Sequence, residues 1–169
     1  VLLRADATPS SGVGHVMRTL TLGVALRDLG CTIELVTTGL VAAMEARAAV
    51  LGVPVIPSTT TPGGAADAEL LASRGAQLVV VDGYFFTHAF FERLASQRVR
   101  HMVIDDNRES RVDTASLVLN QNLHATTSMY PDIREAASLL LGPRYVLIRP
   151  EVQNLHGPRV SSEDRRVLV

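Results

Sequence analysis

The chain has 169 residues and 47% apolar side chains, enough for one domain with a substantial core and too apolar for a disordered segment. A net charge of −1 and an isoelectric point near 6.6 exclude the electrostatic footprint of a nucleic-acid binder or of a protein held on an anionic membrane. No apolar run reaches the ~18 residues of a membrane span, nothing resembles a cleavable leader, and the single Cys31 excludes an internal disulfide and fits a reducing, cytoplasmic setting.

Short apolar runs alternate with longer amphipathic ones. Val1–Ala5 reads as a strand already under way, with a residue or two expected in front. Gly14–Leu29 reads as a helix, with Val13, Met17, Leu20 and Val24 at helical spacing and Gly30 as its stop. Thr32–Thr37 is a second strand and Val41–Leu51 a second helix. Val53–Ile56 is a short strand, Ser58–Gly64 (STTTPGG) a loop, and Ala65–Ser73 helical. Gln77–Asp82 (QLVVVD) is a continuous apolar run of the type buried on both faces of a parallel sheet. His88–Ser96 is a helix, and Arg100–Asp105 and Ser116–Asn120 are further strands. Strands alternating with helices predict right-handed βαβ units and an α/β, Rossmann-like, doubly wound parallel sheet.

After Leu147-Ile148-Arg149-Pro150 a polar stretch runs through Asp164, and Arg165–Val169 then begins what reads as a new strand. This predicts a Rossmann-like domain over 1–150, followed over 151–169 by a linker and the opening strand of a second domain. The competing reading is an edge strand that closes the same sheet.

In open parallel sheets, ligands bind outside the carboxyl ends of the strands. The first strand is followed by Asp6, the loop Thr8–Gly14 and His15. QLVVV is followed by Asp82-Gly83-Tyr84, the next strand by Asp105-Asp106-Asn107, and the one after ends in Asn120-Gln121-Asn122. Four strand ends thus carry acids, amides, a tyrosine and a histidine, which predicts a shared site; ordinary solvated loops are the alternative.

The sharpest element is Gly12-Val13-Gly14-His15-Val16-Met17-Arg18. The glycines allow a tight turn and close approach of a ligand at Gly14. His15 falls in the first helical turn, where the positive end of the helix disfavours imidazolium, so a neutral imidazole is available as a general base. Arg18 lies one turn on, placed to hold a phosphate or the histidine's neighbour. Only G-x-G of a dinucleotide fingerprint is present, and neither a P-loop nor a nucleophile elbow occurs. Phe90 and Phe91 read as helix residues packing on the sheet, while Tyr84 is a candidate to line a sugar pocket. Asp105-Asp106 lacks the D-x-D spacing of metal-dependent glycosyltransferases, and the histidines at 88, 101, 124 and 156 form no ligand spacing, so no metal is expected. One carboxylate of the pair is expected to orient a ligand hydroxyl or the His15 loop.

These motifs in this order resemble one family: Arg4-x-Asp6 leading to G-x-G-H-x-x-R, then V-V-D-G-Y, V-I-D-D, L-x-L-N-Q-N-L, and L-L-L-G-P-R-Y-x-L-I-R-P-E. The family is the UDP-2,4-diacetamido-2,4,6-trideoxy-β-L-altropyranose hydrolase of pseudaminic acid biosynthesis, with the related spore coat polysaccharide biosynthesis proteins. The resemblance runs from the first residue to Val169. It implies the amino-terminal half of a glycosyltransferase-B type fold, a carboxyl-terminal domain that holds most of the uridine diphosphate of a UDP-sugar, and His15 as the base that activates water. It implies no metal or other cofactor. Asp6, Gly14, Arg18, Tyr84, Asp105, Asn120 and Asn122 are the substrate-binding candidates by position. Gly83 stands where the family often has histidine, and Phe85 follows Tyr84 where a glycine or aspartate is common, which leaves the identity of the sugar open. Glycosyl transfer on the same scaffold and a non-catalytic sugar-binding module are the alternative functions.

Overall fold

The computed structural model describes residues 1–9, 11–107 and 112–153. Of the linker and further strand expected over 151–169, residues 154–169, with His156, lie outside the described residues.

Seven strands form one sheet in the order β3-β2-β1-β4-β5-β6-β7, and every neighbouring pair is parallel. They are β1 (Leu2–Arg4), β2 (Glu34–Thr37), β3 (Val55–Pro57), β4 (Val79–Asp82), β5 (His101–Ile104), β6 (Leu117–Asn120) and β7 (Ser138–Leu141). The helices are α1 (Gly14–Asp28), α2 (Ala42–Val50), α3 (Ala65–Ser73), α4 (His88–Ser96) and the single turn α5 (Pro150–Gln153). The expected doubly wound α/β fold is the fold observed. Among the described residues no helix is long and apolar enough to cross a membrane.

The two faces of the sheet follow from the two-residue period of a strand. Leu2, Val79, Val81, Val103 and Val118 face one way, into a layer completed by Leu71 of α3 and Phe90, Phe91 and Leu94 of α4. Leu3, Leu35, Val80, Met102 and Leu119 face the other way, against Val16 and Leu20 of α1 and Met44 and Ala48 of α2. Both faces are therefore buried, which is why QLVVVD is continuously apolar rather than alternating. α1 lies very close to the sheet at Gly23, where a Cβ would fall 2.6 Å from Leu3 Cδ1. Phe90 and Phe91 are core residues, as expected, at 1% and 0% exposure.

The sequence reading differs from the structure mainly at the ends. The observed strands are one or two residues shorter than the expected ones, because pairing stops where the parallel register runs out. No helix or strand is expected over residues 121–150, where β7 pairs with β6 and forms one edge of the sheet. Its leucines are only half buried, so Ser138–Leu141 lacks the deep apolar signature of the inner strands.

The chain winds outward from β1 to β3 and then crosses back to place β4 on the other flank of β1. That reversal leaves a crevice at the carboxyl ends of β1 and β4, where ligands bind in open α/β sheets.

Candidate functional site

The loop after β1 and the first turn of α1 bring His15 to this crevice from one side, and the last residue of β4, Asp82, reaches it from the other. His15 Nδ1 lies 2.8 Å from Asp82 Oδ1. Asp82 is completely buried and serves three further donor atoms. Arg18 donates through Nε (2.6 Å) and Nη2 (2.7 Å), and Thr19 through Oγ1 (3.1 Å). A carboxylate only accepts hydrogen bonds, so Nδ1 carries the proton and Nε2 of a neutral His15 keeps its lone pair. Among the described residues no hydrogen bond engages Nε2. His15 lines a cavity of about 520 Å³, with its side chain nine-tenths buried.

Arg18 continues the network outward. Its Nη1 donates to both oxygens of Asp106 at 2.7 and 2.8 Å, so all three guanidinium nitrogens are committed to carboxylates. Burial works against its charge, but the bonds from Asp82 and Asp106 outweigh that and hold its pKa above the ordinary value. Burial likewise works to raise the Asp106 pKa. The Arg18 guanidinium, with help from Tyr84 and Asn122, overcomes this and holds it below the usual carboxylate value. Tyr84 donates its hydroxyl to Asp106 Oδ2 at 3.0 Å, and its ring meets the His15 imidazole edge-on, centroids 4.5 Å apart and planes at 85°. At 57% exposure Tyr84 is a wall of the cavity rather than part of the core. Two glycines shape this rim through their backbones. Gly12 has φ +71° in the loop before α1, and Gly83 has φ +152°, which lets the chain turn sharply between Asp82 and Tyr84. A histidine at position 83 would be strained in that conformation. Gly14 also lines the cavity, and a Cβ there would meet nothing within 4 Å.

The remaining candidates sit behind the cavity rather than on its wall. Asp105, 4% exposed, accepts the Tyr130 hydroxyl at 2.7 Å. Asn120 has no exposed surface; it donates to the Tyr130 hydroxyl and to the Asp106 carbonyl, and accepts from the Asn122 amide. Asn122 donates to the Asp106 carbonyl at 3.0 Å and to its Oδ1 at 3.4 Å. These three residues and Tyr130 therefore fix the β5 and β6 exits that carry Asp106. Burial raises the Tyr130 pKa above its ordinary value, and the neighbouring Asp105 carboxylate adds to the rise.

Asp6 belongs to a different cluster. It accepts from Arg4, Thr37 and the backbone and side chain of Thr38, and so ties the β1 exit to the β2 exit. Burial works to raise its pKa, and the Arg4 guanidinium and the threonine donors together bring it below the ordinary value. The structure places Asp6, Asp105 and Asn120 off the cavity wall, with polar atoms engaged by Arg4, Thr37, Thr38, Tyr130 and Asn122.

Among the polar residues of the cavity wall, Ser11, Thr21, Asp106, Gln121 and Arg149 are not among the substrate-binding candidates chosen from the sequence. Nor is the buried Asp82 behind that wall. Asp82, Asp106 and Gln121 all stand at the strand ends that the reading singles out, so the positional signal was present for them. For Arg149 only the R-P-E motif was visible. One histidine, His88, stands beside two carboxylates. Its Nε2 lies 3.9 Å from Glu92 and its Nδ1 3.4 Å from Asp113, in an exposed group outside the cavity wall.

Chemically, the site offers one uncommitted basic nitrogen, held in a fixed tautomer by a buried carboxylate, beside a polar cavity large enough for a small molecule. Comparison with protein-family models and with curated proteins gives no match for the chain.

Proposed function

We propose that this chain carries the base-bearing half of a cytoplasmic nucleotide-sugar hydrolase that splits a UDP-linked di-N-acetylated trideoxy amino sugar. The observation that carries the reading is the His15–Asp82 pair at the carboxyl ends of β1 and β4, with Nε2 left free beside the cavity. Water is held by Nε2 and attacks the anomeric carbon. Its oxygen forms the new C–O bond while the bond from that carbon to the diphosphate oxygen breaks. The water proton passes to Nε2, and the bonding electron pair leaves with UDP. The imidazolium then returns its proton to solvent. UDP is a competent leaving group, so a positioned water and a neutral base supply the main requirements. The buried carboxylate stabilises the imidazolium as it forms, in the manner of the third member of a hydrolase triad. In this reading a second domain closes the cleft and holds the nucleotide.

The test is UDP release by the full-length protein encoded by the gene, incubated with UDP-linked diacetamido-trideoxyhexoses without acceptor. Native protein is expected to release UDP, and His15→Ala to reduce release by about 10²-fold or more, the scale of a lost general base. Release that appears only when an acceptor is added would favour glycosyl transfer. Release from no donor under either condition, or release indifferent to His15, would overturn the catalytic reading.

A further inference from the structure

We propose that Arg149 is the anion-binding cation of this cavity and grips a phosphate of the leaving nucleoside diphosphate. The identity of the ligand rests on the reading above; the anion chemistry does not.

Two guanidinium groups line the cavity, and their situations are opposite. Arg18 is spent on Asp82 and Asp106, leaving no nitrogen for a ligand. Arg149 makes no side-chain hydrogen bond and no ion pair among the described residues. Arg18 is shared between Asp106 on the wall and Asp82 behind it, while the acid nearest Arg149 in the chain, Glu151, gives its hydrogen bond to Arg47 of α2.

The backbone around Arg149 is nevertheless fixed. The Leu147 amide donates to the Gln121 side chain at 2.9 Å, which ties the segment to the exit of β6. The Arg149 carbonyl accepts from Val152 and Gln153 at 2.9 and 3.1 Å and opens the α5 turn, and the Arg47–Glu151 pair fastens that turn to α2. The main chain is held on both sides of the residue while its side chain is left over. An arginine held in this way suits recognition of a ligand anion, since the guanidinium fork matches two phosphate oxygens.

The opposite wall adds further donors. Gly14 and His15 open α1, whose N-cap Val13 supplies no capping side chain and whose first turn holds no acid. The first turn of this 15-residue helix therefore brings backbone N–H groups without a side-chain cap to the cavity side, with the Asp82 carboxylate behind them. Between that helix end and Arg149 lies the nearly buried His15 with its free Nε2. An anion in this space meets backbone N–H groups on one wall and the guanidinium on the other. As the anomeric bond breaks, negative charge grows on the departing phosphate, so a fixed guanidinium there stabilises the transition state more than the bound substrate.

The test is calorimetric titration of the full-length protein with inorganic pyrophosphate, alongside UDP-sugar hydrolysis, for native protein and for Arg149→Ala, Arg149→Lys and His15→Ala. The Arg149 side chain is exposed, and circular dichroism melting checks that the variants stay folded. Native protein is expected to bind pyrophosphate in a salt-sensitive way. Arg149→Ala is expected to weaken binding about 10- to 100-fold, the equivalent of one or two charge-assisted hydrogen bonds. Arg149→Lys should recover part of this, and His15→Ala should bind nearly as the native protein does. Loss of pyrophosphate binding in Arg149→Ala without any hydrolysis by the native protein would keep the anion site and remove the hydrolase reading. Hydrolysis that depends on His15 while Arg149→Ala leaves both pyrophosphate affinity and KM unchanged would overturn the role of Arg149 alone. Pyrophosphate that fails to bind the native protein would overturn it as well.

Discussion

His15 Nδ1 lies 2.8 Å from a carboxylate oxygen of Asp82, and Asp82 has no surface exposed to solvent. The pair joins residues 67 positions apart across the point where the sheet reverses its winding. Because Arg18 occupies the same carboxylate, the histidine does not have to be charged to satisfy it. The Arg18 guanidinium thus gives the buried carboxylate a partner besides the imidazole.

Replacing Asp82 by asparagine tests this arrangement. The amide keeps the shape but can present its NH2 toward Nδ1, which would move the imidazole proton to Nε2 and remove the acceptor from the cavity side. The expected outcome is a fall in kcat of about 10²- to 10⁴-fold, the upper figure being the scale known for a misassigned tautomer in a hydrolase triad, with KM little altered. Arg18 would lose one of its two carboxylates, so the melting temperature should drop as well. A variant that melts lower but retains full kcat would mean that Asp82 serves the fold and not His15.

A second prediction concerns Arg4, which has no exposed surface although it carries a full charge. Its Nε reaches both oxygens of Asp67 at 3.1 Å, and its Nη1 and Nη2 reach Asp6 at 2.7 and 3.1 Å. The Phe85 and Phe86 rings lie 5.7 and 5.3 Å from the guanidinium carbon. Arg4→Met would leave two carboxylates buried without their cation, at a cost of about 3–5 kcal/mol, the usual penalty for breaking a buried pair from one side. The triple change Arg4→Met, Asp6→Asn, Asp67→Asn removes the stranded charges while keeping acceptors for the Thr38 and Gly63 amides, and should recover part of that loss. Urea denaturation of the single and triple variants measures both numbers. A single variant within 1 kcal/mol of native would show that the cluster contributes little to stability.

The fold was legible because its cause is local and periodic. A short continuous apolar run such as QLVVVD suits a strand covered on both faces, and the runs between strands carry helical spacing. The placement of the site was legible for the same reason, since a parallel sheet gathers its strand exits on one side, and Asp82, Asp106 and Asn120 all stood at such exits. What the sequence left open was which polar residues face the cavity and which face one another. Asp105 and Asp106 are neighbours, yet the first turns inward to Tyr130 and the second outward to Arg18 and Tyr84. Arg18 was visible as a cation one turn after His15, but its two carboxylate partners lie 64 and 88 residues away. Arg149 was recognisable only within a motif, because the cavity wall it completes depends on a hydrogen bond between Leu147 and Gln121 that no spacing rule describes. β7 escaped because an edge strand shields less apolar surface and so carries a weaker pattern.

The last prediction is a pH dependence of stability that originates away from the cavity. His101, at the start of β5, is 1% exposed and stacks on Phe91 with centroids 5.7 Å apart. Burial lowers its pKa below the ordinary 6.5 and the charge of Arg134 adds to the fall, while the hydrogen bond to the Val99 carbonyl opposes it. The native state therefore holds His101 neutral at pH values where the unfolded chain is already binding a proton. In linkage terms the unfolded state carries more protons, so stability is fully present above about pH 6.5 and declines as pH falls toward and through the folded pKa. The limiting slope is about 1.4 kcal/mol per pH unit for one proton. Asp6 and Asp106 also have lowered pKa values, but their contribution is lost only on acidification below the ordinary carboxylate value of 3.8. The two windows do not overlap near neutrality. Urea midpoints measured from pH 8 to pH 5 should fall for the native chain and flatten in His101→Phe, which keeps the stacking partner of Phe91 and removes the titrating group. An equally steep decline in that variant would assign the effect to another residue.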